Sequence, residues 1–244
     1  MEPVDLIAFG AHPDDVEIGC GGLLMRSIAT GYRVGIVDLT RGEMASTGTV
    51  AIRREESQKA AEVLGVNWRI NLELPDRGIT INDESLSKVV RILREARPRL
   101  IVAPYWEDRH PDHVACSQLV TEAHFNARLY KYLPELPPHQ PRLIYYFLNH
   151  YQVEASFIVD ISDYFEEKVK AIFCHYSQFG PAPEPTSLNT GAFMGAIRGW
   201  NQAWGALIGC TYGEGFYSKE ALAIPDPVAL LGGGSQAMPV RRNR

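Results

Sequence analysis

Apolar runs and helical patterns alternate along the first half of the chain. Three short runs, LIAFGA, VGIVDL and LIVAPY, are apolar at consecutive positions rather than at every second position, with Asp38 the one charged residue among them. Strands that are covered on both faces have this pattern, whereas half-exposed strands alternate apolar and polar residues. The segments between the runs have helical periodicity, and they stop at Gly31, at Gly65 and before Pro98. The pattern therefore predicts repeated strand–helix–strand units.

These patterns predict four strands and four helices in the first half. The strands are Val4–Ala11, Arg33–Thr40, Trp68–Leu74 and Arg99–Tyr105, and the helices are Glu17–Thr30, Arg53–Leu64, Glu84–Ala96 and Pro111–Arg128. Consecutive units of this kind wind into a parallel sheet with helices on both faces. We therefore predict an α/β fold with a Rossmann-like, mostly parallel sheet.

The second half is less regular. Its pattern predicts strands at Leu143–Leu148 and Ser156–Ile161 and helices at Asp163–Phe179 and Thr190–Ile208. A single domain is expected over residues 1–224. Residues 225–244 contain three consecutive glycines and end in RRNR, so we expect them to form a flexible C-terminal tail.

Composition and charge narrow the class of protein. A formal net charge of -5 argues against nucleic-acid binding, which usually needs a basic face. No apolar run approaches the roughly 20 residues of a membrane helix, and we expect that the acidic start MEPVDLIAFG does not act as a signal peptide. The four cysteines form no CxxC pair, which argues against a four-cysteine zinc site and favours the reducing cytoplasm.

A first polar segment, AHPDDVE, follows the first predicted strand. Open α/β sheets bind ligands at the carboxyl ends of their strands, so this segment lies where a site is expected. His12 and Asp15 are one helical turn apart and can converge on one point. Asp14 points elsewhere, and we expect it to be available for proton transfer.

A second segment, DRHPDH, follows the fourth predicted strand at the same edge of the sheet. With it, His12, Asp15 and His113 form a set of two histidines and one carboxylate. Catalytic zinc takes three such ligands and keeps a fourth position open, and Fe²⁺ or another divalent ion suits the same donors. His110 is then a candidate to stabilise charge that develops on a carbonyl oxygen. The competing interpretation is that the aspartates only cap helices, but capping leaves the histidines unexplained.

At these residues the sequence resembles the LmbE-like, or PIG-L, family of N-acetylglucosamine de-N-acetylases. The matching elements are AHPDDVE, RREES at residues 53–57 and HPDH at residues 110–113. The resemblance implies a hydrolase with zinc, or another divalent metal, held by His12, Asp15 and His113. It implies Asp14 as general base and His110 as transition-state stabiliser. It also implies a homo-oligomer.

Three further residues are candidates for substrate binding. The resemblance implies that Arg53 contacts the substrate. A cation at the start of a helix is also unfavourable because of the helix dipole, and this favours a functional role over a simply solvated side chain. Arg109 is placed to meet an anionic group or to form an ordinary salt bridge. Glu43 lies in the polar loop 41–49, which either lines the sugar pocket or is plain surface.

Within the family, TRGEMASTGT and EDRHPDH resemble the deacetylases of bacillithiol biosynthesis. This implies a small-molecule sugar substrate, N-acetylglucosaminyl malate. Two alternatives remain open at this point. One is a metal-dependent amidase or other hydrolase that acts on a non-sugar or a different N-acetyl substrate. The other is a non-catalytic binding module, although no GxGxxG follows the first strand.

Overall fold

The computed structural model describes residues 1–147, 154–183, 185–224 and 226. The strands are β1 (Leu6–Gly10), β2 (Val34–Thr40), β3 (Trp68–Leu74), β4 (Leu100–Pro104), β5 (Leu143–Phe147), β6 (Phe157–Asp160) and β7 (Gly213–Ser218). The helices are α1 (Asp15–Ala29), α2 (Val50–Leu64), α3 (Asp83–Ala96), α4 (Pro111–Asn126), α5 (Phe165–Cys174), α6 (Tyr176–Phe179) and α7 (Ala192–Ile208).

The strands form one seven-stranded sheet in the order β3-β2-β1-β4-β5-β7-β6. Strands β1 to β5 are parallel, and β7 runs antiparallel to both β5 and β6. The chain runs outward from β1 to β3 and then crosses back to β4 on the other side of β1. The strand order therefore reverses between β1 and β4, which is where doubly wound sheets bind their ligands. The predicted Rossmann-like fold is confirmed.

Both faces of the sheet are buried. Leu6 and Ala8 of β1 pack in a core with apolar residues of α1, α2 and α5. Ile7 and Phe9 of the same strand pack on the opposite face with α3 and α4. Every residue of β1 is buried, and burial of each large apolar side chain stabilises the fold by about 1.5–3 kcal/mol. This explains why the run is apolar throughout.

The predicted helix over Asp163–Phe179 is wrong in one respect, because the helix breaks at His175. This residue has φ -80° and ψ 54°, and it separates α5 from α6. Its side chain is fully buried, and its Nε2 lies 3.0 Å from Glu17 Oε1. The break therefore allows the imidazole to reach a carboxylate on a different helix.

Strand β7 was not predicted, and helix α1 differs from its expected form. The helix begins at Asp15 instead of Glu17 and is interrupted at Cys20, where φ is -146°. After the interruption, the N–H groups of Gly22 and Leu23 donate to the carboxylate of Glu214 at 2.8 and 2.7 Å. A side chain of β7 thus caps the second part of α1, since free N–H groups at a helix start need acceptors.

Some expectations fall outside this part of the chain. Leu148, at the end of a predicted strand, is not among the described residues, nor is the expected tail apart from Asp226. None of the described helices is long and apolar enough to cross a bilayer. The single domain, the cytoplasmic location, the lack of a nucleic-acid partner and the homo-oligomer stay predictions.

Candidate active site

The two His-Pro-Asp segments meet at the carboxyl edge of the sheet. His12 follows β1 and Asp15 begins α1, while His110 precedes α4 and His113 lies in its first turn. The ring of His12 lies 4.7 Å from that of His110 and 5.6 Å from that of His113, centroid to centroid. The fold therefore brings together side chains that are about 100 residues apart in sequence, as the two motifs predicted.

Asp15 lies between the two histidines of the expected metal site. Its Oδ1 is 3.1 Å from His113 Nε2, and its Oδ2 is 3.6 Å from His12 Nδ1. Two ligands of a tetrahedral zinc ion, each about 2.0–2.1 Å from it, are roughly 3.3 Å apart, so these separations fit one ion. Among the described residues, two further combinations have ligand atoms within 4.8 Å of one another: His12 with His110 and His113, and His12 with Asp76 and Asp112.

Three further carboxylates, which lie on the side of the histidine rings away from Asp15, orient the two rings. His12 Nε2 lies 3.1 Å from Asp76 Oδ1 and 3.4 Å from Asp112 Oδ2. A nitrogen between two carboxylates carries a proton, so when the ring of His12 is neutral its lone pair is on Nδ1. His113 Nδ1 lies 3.1 Å from Asp108 Oδ2, which leaves Nε2 of that ring as the ligand atom. Carboxylates commonly orient metal-binding histidines in this way, and the donors therefore fit a divalent metal at His12, Asp15 and His113.

His110 has a different environment from the other two histidines. The N–H of Asp112 donates to His110 Nδ1 at 3.2 Å, so in a neutral ring the proton is on Nε2. Burial lowers the pKa of His110, and the neighbouring His12 and His113 lower it further. The lowered pKa favours the neutral ring, and no described residue accepts from its Nε2–H, so this donor suits an oxyanion better than a metal.

Asp14 does not cap its helix. It occupies the N-cap position of α1, but its side chain makes no capping bond, and its φ of 127° lies in a region that costs a non-glycine residue about 1–3 kcal/mol. Burial raises the pKa of Asp14 to about 6, although the Arg53 guanidinium, 3.2 Å away, acts in the opposite direction. The capping interpretation is therefore wrong for Asp14, whose pKa suits proton transfer near neutral pH.

Asp15, His12 and His113 shift one another's pKa values through their charges and hydrogen bonds. Burial would raise the pKa of Asp15, but His113 and His12 outweigh it and hold the pKa well below its usual range. Burial would lower the pKa of His113, but Asp15 and Asp108 raise it to about 10. The pKa of His12 is likewise raised, by Asp112, Asp15 and Asp76 against its burial. In the metal-free protein both rings hold protons, which a cation must displace to bind.

Arg53 is buried against the loop 41–49. It donates to Gly42 O at 3.1 Å, to Pro13 O at 2.7 Å and to Asp14 Oδ2. Gly42 has a φ of 66°, and a Cβ at this position would collide with the guanidinium. The glycine is therefore required both by its backbone conformation and by the close approach of Arg53. Arg53 lines the cavity described next, and its substrate contact stays a prediction.

An open cavity of about 400 Å³ lies over the histidines. Arg53, Arg77 and Arg109 line it together with the loop residues Ser46 and Thr47. The second half of the chain contributes Gln178, Thr186, Ser187, Leu188 and Phe193. Glu43 Oε1 accepts the N–H of Asp76 at 3.0 Å and thus joins two loops, and its expected contact with substrate stays a prediction.

Sequence reasoning missed several residues of this site. Asp108 and Asp112 carried a usable signal, because each is two positions or fewer from a histidine of the second motif. Asp76 lies in the loop after β3 and Gln178 lies in α6, and neither belongs to a recognisable pattern. Their place in the site depends on which loops meet at the edge of the sheet.

The fold, the histidine–carboxylate donors and the adjacent buried carboxyl group of Asp14 together indicate a Rossmann-like α/β hydrolase with a centre suited to a divalent metal. Residues 7–124 match the family model described as PIG-L: GlcNAc-PI de-N-acetylase. Diacetylchitobiose deacetylase of Thermococcus kodakarensis is 32% identical over 183 residues, which cover 69% of this chain and 67% of that relative. The chain belongs to the PIG-L family and is an N-deacetylase.

Two solved structures extend the similarity to the second half of the chain. The conserved protein TT1542 of Thermus thermophilus superposes with a TM-score of 0.83 at 37% identity, covering 91% of this chain and 98% of that chain. N,N'-diacetylchitobiose deacetylase of Pyrococcus horikoshii has a TM-score of 0.78 at 30% identity, covering 88% of this chain and 83% of that chain. The α/β fold is thus shared over almost the whole chain.

Proposed function

We propose that the protein removes the N-acetyl group from an N-acetylglucosamine conjugate, with zinc held by His12, Asp15 and His113. The observation that carries the proposal is the set of oriented donors around Asp15. Asp76, Asp112 and Asp108 each lie against one nitrogen of these rings, and the other nitrogen of each ring, the one available to a metal, faces Asp15. The activities of the two diacetylchitobiose deacetylases support a substrate of this class.

The protein's own residues account for the proton movements of amide hydrolysis. When bound, a divalent metal polarises the acetamide carbonyl and acidifies water. Asp14 accepts a proton from the water whose oxygen attacks the carbonyl carbon. His110 Nε2–H donates to the oxygen on which negative charge develops. Asp14 then returns the proton to the nitrogen as the C–N bond breaks, which releases acetate and the free amine.

Arg77 and Arg109 support an anionic conjugate. Both guanidinium groups are exposed at the cavity, and neither makes an ion pair within the described part of the chain. Cations without a protein counterion are suited to bind carboxylates, and arginine does so with two parallel hydrogen bonds. We therefore favour N-acetylglucosaminyl malate, which offers two carboxylates, and bacillithiol biosynthesis as the setting. Fe²⁺ suits the same ligands as zinc.

The test is the release of free amine from N-acetylglucosamine, diacetylchitobiose and N-acetylglucosaminyl malate. We expect release that a chelator abolishes and added zinc restores, with a preference for the malate conjugate. Arg77→Gln and Arg109→Gln should each reduce that preference about tenfold, the value of one good charged contact. Arg128→Gln, which removes an arginine that lies over the Phe125 ring, is the matched control. Zinc-loaded protein that releases no amine from any of the three would refute the proposal and favour another hydrolase.

A further inference from the structure

We propose that Gln178 is a specificity-determining residue whose Oε1 accepts a hydrogen bond from a ring hydroxyl of the sugar. The inference rests on the proposed function, since it requires a sugar in the cavity. Gln178 belongs to α6, and only 6% of it is exposed, yet it lines the cavity. It lies outside residues 7–124, the part of the chain that matches the family model.

The orientation of the Gln178 amide is determined by its donors. Nε2 lies 2.8 Å from Thr47 O and 3.0 Å from Ser177 Oγ, so both of its hydrogens have acceptors. A backbone carbonyl can only accept, and an amide with its oxygen on this side would therefore place two acceptors in contact. The nitrogen faces the loop 41–49 for this reason, and Oε1 is the other end of the group.

A carboxylate on α2 holds this arrangement in place. The backbone N–H and the hydroxyl of Ser177 donate to the two oxygens of Glu56 at 2.6 and 2.7 Å. The Ser177 hydroxyl uses its proton in that bond, so its oxygen is left to accept from Gln178. A chain of bonds thus runs from Glu56 through Ser177 to the amide, and the amide is oriented before any ligand binds.

Gln178 Oε1 itself accepts no hydrogen bond from a residue in the described ranges. Oε1 is not one of the fully buried polar atoms that lack a partner, so on this largely buried side chain it is open to the cavity, where a donor of the ligand can reach it. A hydroxyl group has a proton to donate, whereas a carboxylate or carbonyl of the ligand would be repelled. The complementary ligand group is therefore a neutral donor, in contrast to the anionic group expected at Arg77 and Arg109.

The position of α6 indicates which part of the ligand this acceptor meets. A Cβ at Gly48 would lie 2.7 Å from Ser177 Oγ and 3.6 Å from Arg53 Cγ, so α6 and Arg53 pack on the same glycine of the loop. Arg53 in turn donates to Asp14, the proposed base. Gln178 is therefore close to the reacting end of the cavity, where the sugar ring that carries the acetamide must lie.

The test combines enzyme variants with substrate analogues. We would measure kcat/KM of the zinc-loaded wild type and of Gln178→Met on an active N-acetylglucosamine conjugate and on its 3-, 4- and 6-deoxyfluoro analogues, which cannot donate at the altered position. On the parent, Gln178→Met should lose about tenfold, which corresponds to roughly 1.4 kcal/mol for one hydrogen bond. On one of the analogues, kcat/KM of the wild type should be lower than on the parent by a similar factor. For Gln178→Met, kcat/KM on that analogue should equal its value on the parent, because the hydrogen bond is already missing.

Ser177→Ala is the control, because it removes one anchor of the amide but leaves Oε1. Its loss should be similar on all members of the series. If Gln178→Met does not fold, Gln178→Asn replaces it in the same measurements, because its side chain is one methylene shorter and its amide oxygen is withdrawn from the cavity. If kcat/KM of Gln178→Met is lower than that of the wild type by the same factor on the parent and on every analogue, the assignment is overturned. Gln178 would then serve only to anchor the loop 41–49. A wild type that is inactive on every N-acetylglucosamine conjugate would refute the proposed function itself, and with it this assignment.

Discussion

Replacement of Arg53 by glutamine should move the pH at which deacetylation begins. Arg53 Nη2 lies 3.2 Å from Asp14 Oδ2, and both side chains are buried. The guanidinium favours the ionised form of Asp14 and therefore opposes the effect of burial on its pKa. As a general base, Asp14 acts only when ionised. Without the charge at residue 53, the carboxylate should therefore keep its proton to a higher pH.

The size of the shift follows from the distance and the surroundings. Two unit charges 3.2 Å apart interact by about 5 kcal/mol at an effective dielectric constant near 20, and by about 1.3 kcal/mol in water. The pair borders an open cavity, so the lower part of this range applies. Opposite charges at this distance usually lower a carboxyl pKa by about 1–3 units, and one unit is about 1.4 kcal/mol. We expect the acid limb of kcat/KM to rise by about 1–2 pH units.

The assay is the pH profile of kcat/KM for the zinc-loaded wild type and Arg53→Gln, with bound metal measured for each. Arg53→Lys keeps the charge and should leave the limb near its wild-type position. Arg54→Gln removes the next arginine along α2, which is exposed, and should have no effect. An acid limb that does not move in Arg53→Gln, or that persists unchanged in Asp14→Asn, would refute the reasoning.

Three further predictions concern stability and metal binding. Asp14→Asn should stabilise the metal-free protein at neutral pH by up to about 3 kcal/mol, measured by urea unfolding. Burial raises the pKa of Asp14 from 3.8 to about 6, so the folded protein favours the protonated carboxyl group, and this stability is lost as the pH rises from 3.8 to 6. Asparagine stays neutral and avoids that loss. Zinc affinity, measured by competition with a chromophoric chelator, should increase with pH, since the raised pKa values of His12 and His113 make zinc compete with protons; a flat profile would contradict this. Asp76→Asn should weaken zinc binding about 10–100-fold, because an amide whose oxygen keeps the bond from the Met44 N–H turns its NH₂ group towards His12 Nε2. Glu73→Gln, at an exposed position, is the control. Equal zinc affinities of Asp76→Asn and the wild type would contradict the role of Asp76.

The sequence by itself determined the parallel half of the fold and the position of the two motifs. The strands β1 and β4 are apolar throughout, and β2 is apolar except at Asp38 and Thr40, because both faces of each strand are buried. Such runs can be recognised without tertiary information. Helix ends were marked locally, for example by Gly65, which ends α2 in a left-handed conformation. Since parallel strands place their carboxyl ends at one edge, His12 and His113 could be assigned to one site before their distance was known.

Only the tertiary structure decided the second half of the site. Strand β7 contains Gly213 and Gly215, which weaken any strand pattern but leave room for Trp204 and its neighbours on α7. His175 breaks a helix that its own periodicity supports, because the contact with Glu17 stabilises a different backbone. Asp76 and Gln178 enter the site through hydrogen bonds to residues that are 64 and 131 positions away. Local sequence patterns cannot predict such pairs, because the packing of loops at the edge of the sheet determines which groups become neighbours.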